Sequence, residues 1–503
     1  MGVGFTLRPQ VDPDLWGHLR FGQYFLEVGL PPQPDIFSYA STETWIDHEW
    51  LCEILYFLAW RSMGDFGYYL VKAVAGMIVA VVLLYHANRV SASGAPSAGC
   101  ARVSDAGRRT DSLLATAIVF CTAFICLGNG MLLRPQLFTY LLTACLMHIY
   151  LMNRDGKSGW LYACPVIMAL WSNLHAGVVA GIGLMVIFCV GDAIEGRRPL
   201  RLTVALLYSL AATLITPYGA DYWTFLLHAT TLGREYITEW APLTWKFENG
   251  AYLLCAMVFS FAFVRSRLQK TPTEILIFIV TLYLGLTHMR HMMLFAITTG
   301  MTIAPHVADC LPVRLKARTG ATDLSPRDST VLRVVYFVAA VSILSAMGVA
   351  VAHKGLGVAV DPNSYPVAAT RFIRENRISG NIYPTFNWGQ YAIWHLHPQC
   401  RVGADGRYET VYSREHEKIQ MAFDVGMLGW EDVVDTWPTE IVLCPNKYHF
   451  RLAMDSRPEW AKVYEDTAAR VYLKRVPKFA GVIDRAGRNE LIQPRASSLE
   501  YFP

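Results

Sequence analysis

The chain has 503 residues, 53% of them hydrophobic and 17% charged, with a mean hydropathy of +0.29. Soluble domains carry about 25% charged residues, and the deficit lies before residue 355, which argues against a wholly soluble protein. A formal net charge of +4, with no basic cluster interleaved with aromatics, excludes nucleic acid as a partner, and the 11 cysteines show no CxxC spacing for zinc or redox work.

The chain opens on an acidic, aromatic stretch, Asp12-Pro13-Asp14-Leu15-Trp16-Gly17-His18. Pro13 keeps Asp12 out of helical geometry and leaves Asp14 to start a helix as its N-cap, with His18 one turn on and able to share its face. Two carboxylates and an imidazole at a membrane surface suit a cation or a general base. A simple cap and an interfacial histidine explain the same spacing. After the extended Pro31-Pro32-Gln33-Pro34-Asp35, residues 48–62 form a short amphipathic run with Glu49 and Glu53 one turn apart, the pattern of a helix lying in the interface. Residues 1–65 thus read as an outer acidic loop with an interfacial helix.

Residues 66–352 read as a transmembrane helical domain. Runs of about 20 mostly apolar residues, the length needed to cross the hydrocarbon layer, sit near 66–88, 112–130, 133–152, 159–173, 177–194, 202–216, 249–265, 273–288, 291–308 and 331–352. One set of loops holds most of the Lys and Arg, among them Arg108, Arg109, Arg154, Arg197, Arg198, Arg267, Lys270 and Lys316, whereas the alternating set holds only Arg134, Arg234, Lys246 and Arg290. The first set is therefore cytoplasmic, and residues 1–65, 217–248 and 353–503 face outward. A crossing must then precede residue 12, and Met1–Val11 is neither a span nor a signal peptide, so a further helix encoded upstream is expected.

Beyond residue 353 the pattern changes to alternating short helices and strands, giving a small extracytoplasmic α/β domain over 353–478. Helix is predicted over Pro366–Asn376 and Ser413–Val425, and strand over Asn381–Tyr383, Arg401–Gly403, Ile441–Cys444 and Val471–Arg475. Asp405-Gly406-Arg407 reads as an ordered turn with an ion pair, and Cys400 and Cys444 as unbonded core thiols. Residues 479–503 show no periodicity and read as a loosely held tail.

Taken together, Asp12-Pro13-Asp14-Leu15-Trp16-Gly17-His18-Leu19-Arg20, Gly22, Gly29-Leu30-Pro31, Asp47-His48-Glu49-Trp50-Leu51, Leu133-Arg134-Pro135-Gln136, Trp171-Ser172-Asn173-Leu174-His175-Ala176-Gly177, Pro217-Tyr218-Gly219, Glu239-Trp240, Arg290-His291 and Asp405-Gly406-Arg407 resemble bacterial polytopic proteins of the GT-C glycosyltransferase superfamily. The resemblance spans residues 10–475. It implies a polytopic α-helical fold of about ten spans in the bacterial inner membrane. It also implies a lipid-linked donor, a polyprenyl-phosphate sugar, and a glycan, lipid or protein acceptor on the outer face.

Residue by residue, the resemblance makes Asp14 and Asp12 the candidate base, or the ligands of a divalent cation such as Mg or Mn. Arg134 and Arg290 become the candidate phosphate contacts, since guanidinium forks match phosphate oxygens. His18, His48, Glu49, His175 and Glu239 complete the candidate substrate site. Each has a plainer reading: Arg134 as a snorkelling residue, His175 as a structural histidine, Glu239 as a loop anchor, His48 and Glu49 as helix-capping groups. The alternative function is a non-catalytic structural subunit of a membrane complex. A transporter is disfavoured because the spans hold almost no acidic residues.

Overall fold

The computed structural model describes residues 12–29, 35–92, 105–231, 234, 237–311, 358–494 and 500–502. The chain divides into two compact units, one within residues 69–355 and one built from residues 9–68 together with 356–503.

Two helices come first, α1 (Leu15–Glu27) and α2 (Trp50–Met63), and the helical series follows. It runs through α3 (Asp65–Ala92), α4 (Asp105–Gly130), α5 (Gln136–Arg154), α6 (Ala163–Leu174), α7 (Val178–Ile194), α8 (Leu200–Ala212), α9 (Asp221–Thr231), α10 (Gly250–Arg265), α11 (Pro272–Thr287), α12 (Met292–Gly300) and α13 (Ala304–Cys310). Every predicted run up to residue 308 falls on helix, and the run 331–352 lies outside the described residues. By length and composition alone, Asp65–Arg89 and Phe247–Arg265 suffice to cross a membrane. Val178–Ile194, Leu200–Ala212 and Pro272–Thr287 are apolar but shorter.

The run 291–308 is not one helix. It breaks between α12 and α13, where Pro305 sits in the first turn of the second piece and its ring would clash with a continuing helix. All of α12 is buried. The neighbouring helices turn large apolar side chains outward, with Val81, Phe261, Val264, Ile279 and Tyr283 exposed. Such a surface is unstable in water and suited to lipid. Small residues set the close approaches inside, as where a side chain at Gly181 would strike Trp171 and one at Gly285 would strike Met292.

The second unit contains β1 (Ala359–Val360), α14 (Val367–Glu375), β2 (Gly380–Pro384), α15 (Gly389–Leu396), β3 (Cys400–Val402), α16 (Arg414–Val425), α17 (Asp432–Asp435), β4 (Ile441–Pro445), α18 (Tyr448–Asp455), β5 (Trp460–Glu465), β6 (Ala469–Lys474), α19 (Ala480–Gly487) and β7 (Glu500–Tyr501). Its five-stranded sheet has the order β3-β2-β4-β6-β5, parallel across β3, β2 and β4 and antiparallel from β4 to β5. Ser413 caps α16 by accepting from His416 N–H, and Gly426 ends that helix in the left-handed region.

The outer loop is built into this sheet. Val402 N–H donates to Phe37 O at 2.9 Å and Tyr39 N–H to Val402 O at 3.1 Å, so residues 37–39 lie along the edge at β3. The predicted loose tail is corrected by its own contacts. Asn376 brackets Ile492, donating from Nδ2 to its carbonyl and accepting its N–H, much as a neighbouring strand would. Residues Glu500–Tyr501 pair with β1, and Phe502 packs on Trp16. Cys400 and Cys444 are buried free thiols.

Candidate functional site

In the second unit, the acidic motif starts α1. Asp14 occupies the N-cap position in helical geometry, and its side chain makes no capping hydrogen bond. The turn is closed by Asp12 instead, whose Oδ1 accepts Asp14 N–H at 3.1 Å while its carbonyl accepts Leu15 N–H at 3.1 Å. The capping duty that the sequence assigned to Asp14 thus falls to Asp12.

One turn along, His18 is buried against α2. Its Nδ1 lies 2.9 Å from Glu53 Oε1 and 4.0 Å from Glu49 Oε2, and His48 Nε2 lies 3.3 Å from Glu49 Oε1. Gly22 permits this helix pairing, because a Cβ there would strike the Glu53 backbone. Burial, then the charge of Asp47, pushes Glu53 well above the usual carboxylate range. Burial raises Asp47 too, while its hydrogen bond with Glu53 works the other way. Burial thus disfavours the charged form of both carboxylates, and Glu53 Oε1 faces His18 Nδ1 within hydrogen-bond distance.

His18, Glu49 and Glu53 place candidate ligand atoms within 4.8 Å of one another, the described group that could hold a metal ion. Asp12 and Asp14 are not members of it. Glu53 was not singled out from the sequence as a site residue; a carboxylate one turn from Glu49 on an otherwise apolar helix was the available signal.

Close by in the same unit, Arg407 is fully enclosed. It donates to both oxygens of Asp405, at 2.9 and 2.8 Å, and pairs with Asp35 at 2.8 Å. Its guanidinium carbon lies 4.6 Å from the Trp45 ring centroid and 5.2 Å from that of Phe21. Tyr412 O–H donates to Asp405 at 2.7 Å. The predicted Asp405–Arg407 pair is present, and Asp35 is its unforeseen third member.

The remaining candidates lie in the helical unit. Arg134 donates to Glu239 at 2.6 Å. Trp240 is approached by two guanidinium groups, Arg234 at 4.3 Å and Arg290 at 4.7 Å from the ring centroid, and by His288 and His291 at 5.3 and 5.6 Å. Backbone bonds from Met289 N–H to Ala241 O and from Leu243 N–H to Leu286 O tie this loop to the turn between α11 and α12. Among the described residues no carboxylate pairs with Arg290. Arg234 is a member the sequence reading passed over.

His175 has a packing role. Its Nδ1 accepts Gly177 N–H at 2.9 Å and meets Thr139 Oγ1 at 2.8 Å, and Thr139 in turn accepts from Trp171 Nε1. The candidates thus group as Asp12, Asp14, His18, His48 and Glu49 in one unit and Arg134, His175, Glu239 and Arg290 in the other.

The fold is similar to that of solved structures, as the sequence resemblance led us to expect. Solved structures similar to it include ArnT from Cupriavidus metallidurans bound to undecaprenyl phosphate, with 12% identity, a TM-score of 0.50 and coverage of 95% of this chain and 96% of that one. The apo state of ArnT from the same organism is also similar, with 12% identity, a TM-score of 0.49 and coverage of 92% and 93%. No protein-family model matches the chain, and no curated protein matches it in sequence. The likeness is one of fold.

Proposed function

We propose that the chain is a membrane glycosyltransferase that moves a sugar from a polyprenyl-phosphate-linked donor to an extracytoplasmic acceptor. The observation that carries this reading is the end-to-end likeness of fold to a protein solved with undecaprenyl phosphate bound. The chemistry of both units is consistent with it. Asp14 takes the proton of the acceptor hydroxyl, whose oxygen bonds to the anomeric carbon as the bond from that carbon to the phosphate oxygen breaks. Polyprenyl phosphate leaves with the electron pair of that bond, and in the helical unit Arg290, Arg234 and Arg134 are groups of the kind that bind a lipid phosphate. A non-catalytic subunit, the alternative, gives no reason for two guanidinium groups to gather at one indole with no described carboxylate on Arg290.

His18, Glu49 and Glu53 would hold a divalent cation. Glu53 Oε2 is buried with no hydrogen-bond partner among the described residues, an orphaned carboxylate oxygen that a cation would satisfy. One nitrogen and two carboxylates suit Mn or Zn better than Mg, which prefers oxygen ligands and retained water. Such an ion would supply positive charge for a phosphate oxygen. On this reading the protein lies in the bacterial inner membrane with residues 1–65 and 353–503 outside.

The test is to offer the purified protein, in lipid nanodiscs, a panel of polyprenyl-phosphate sugars and to follow release of polyprenyl phosphate by mass spectrometry. Turnover of one donor, weakened by Arg290→Gln through KM, is expected. Failure of every donor, together with no retention of polyprenyl phosphate by the parent protein, would overturn the reading.

A further inference from the structure

Asp405-Gly406-Arg407 carries no role in the reaction as described so far, yet its central glycine lies at an unusual junction. A Cβ built on Gly406 would collide with Asp14 Oδ1 and would fall 2.7 Å from Gln390 Nε2. A Cβ on Gly17, in the first turn of α1, would collide with the other end of the same Gln390 amide. One on Gly389, at the start of α15, would collide with Ala404 O and Asp405. Three glycines thus let α1, α15 and the turn at 405–407 approach until the Asp14 carboxylate occupies the space where a side chain at 406 would stand. Gln390 is buried between them, its Oε1 without a hydrogen-bond partner among the described residues.

The turn itself is held firmly. Arg407 N–H donates to Asp405 Oδ1 at 2.9 Å, closing it locally. The buried Asp35–Arg407–Asp405 ion cluster and Tyr412 then fix both residues that flank Gly406. A carboxylate resting on such a turn has little room to move. Geometry of that kind matters to a base, because displacing a reacting group by about 1 Å costs about 10²-fold in rate.

We propose that the turn at 405–407 is the seat of Asp14, with Gly406 and Gln390 as positioning residues for it. The C-terminal domain then supports the chemistry directly. The inference rests on the proposed role of Asp14 as base.

The experiment measures kcat and KM for the donor, and the pH dependence of kcat, in Gly406→Ala and Gln390→Met, with Gly481→Ala as a control at a site where a Cβ meets nothing within 4 Å. The backbone at Gly406 is outside the left-handed region, so alanine changes only the occupied space. Gly406→Ala should lower kcat by about 10²-fold with KM within a few-fold of the parent. Gln390→Met replaces a polar neighbour by an apolar one of similar length, so the acid limb of the pH profile should move upward as the charged carboxylate loses favour. Unchanged kcat in Gly406→Ala with an unmoved acid limb in Gln390→Met would overturn the proposal, as would losses that only track the folded fraction. An active Asp14→Asn would instead overturn the reading beneath it, and the two failures are distinct.

Discussion

Asp14→Asn separates a base from a helix cap. The change keeps the side chain's size and removes its charge. In the structure Asp14 makes no side-chain capping bond, and the first turn of α1 is closed by Asp12 through the 3.1 Å bond to Asp14 N–H. A cap residue would cost about 0.5–2 kcal/mol when lost. The helix-terminus contribution of Asp14 is the attraction between its carboxylate and the N-terminal end of α1, about 0.3–1 kcal/mol. For a chain of this size such a change lowers the unfolding midpoint by no more than about 2–4 °C. Loss of a general base lowers the rate by about 10²–10⁴-fold, equivalent to about 2.7–5.4 kcal/mol in the barrier. Thermal unfolding and single-turnover transfer, measured on the same preparation, read the two quantities independently. The expected result is a midpoint close to the parent with transfer reduced at least a hundredfold. Asp12→Ala should show the converse, a measurable loss of stability with a smaller loss of rate. An Asp14→Asn protein that transfers sugar within about threefold of the parent would refute the assignment, since the barrier change would then be below about 0.7 kcal/mol.

Arg407→Met should destabilise the protein by about 3–5 kcal/mol, because it leaves Asp405 and Asp35 as buried carboxylates without their cation; chemical denaturation followed by tryptophan fluorescence checks it. Burial pushes Asp424 up to about 7, against the opposing bonds from Phe386 N–H and Gln420. The folded state then holds a proton that the unfolded chain has released, so stability falls as pH rises from about 4 to about 7, by up to about 1.4 kcal/mol per unit, and is level above. Asp424→Asn should flatten that slope in a pH series of thermal melts. Removal of divalent cations by a chelator should lower transfer, with Mn or Zn restoring it better than Mg, and His18→Ala should reduce bound metal measured by elemental analysis.

What the sequence disclosed follows from the range of the interactions involved. Apolar runs announce helices because lipid-facing and core-facing residues are both apolar, so α3 to α8, α10 and α11 could be found from composition alone, whereas α9, Asp221–Thr231, fell inside the loop read over 217–248. Their length was less legible, since the break at Pro305 and the short helices such as Leu200–Ala212 depend on turns that hydropathy averages over. The strands β2, β4 and β6 stood out as buried apolar runs. In β5 the pattern is interrupted by a register shift between Lys462 and Tyr464, and it was missed. The local Asp405–Arg407 pair was readable, being two residues apart. Its partner Asp35 was not, because the bond joins distant stretches of chain. The same holds for Glu53 with His18 and for Arg234 with Trp240: each is an ordinary residue until the fold supplies its neighbour.

If the chain spans a membrane as proposed, the joining of distant stretches also constrains how it crosses. Residues 35–39 lie along the edge of β3, Asp35 closes the Arg407 cluster, and Trp16 packs among Tyr365, Tyr391 and Phe502. These contacts are made by side chains buried on both partners, so the two stretches form one hydrophobic interior and must lie on the same side of the bilayer. Every crossing between residue 69 and residue 357 must then be matched by a return. On that reading an even number of spans follows from packing in the second unit alone, without counting helices. The Lys and Arg bias of the intervening loops adds the direction, placing that shared side outward. On the proposed reading, parity of packing and asymmetry of charge together put the unit that holds Asp14, His18, Glu49 and Glu53 on the outer face. A donor carried by a lipid can be met on that face without its sugar entering the cytoplasm.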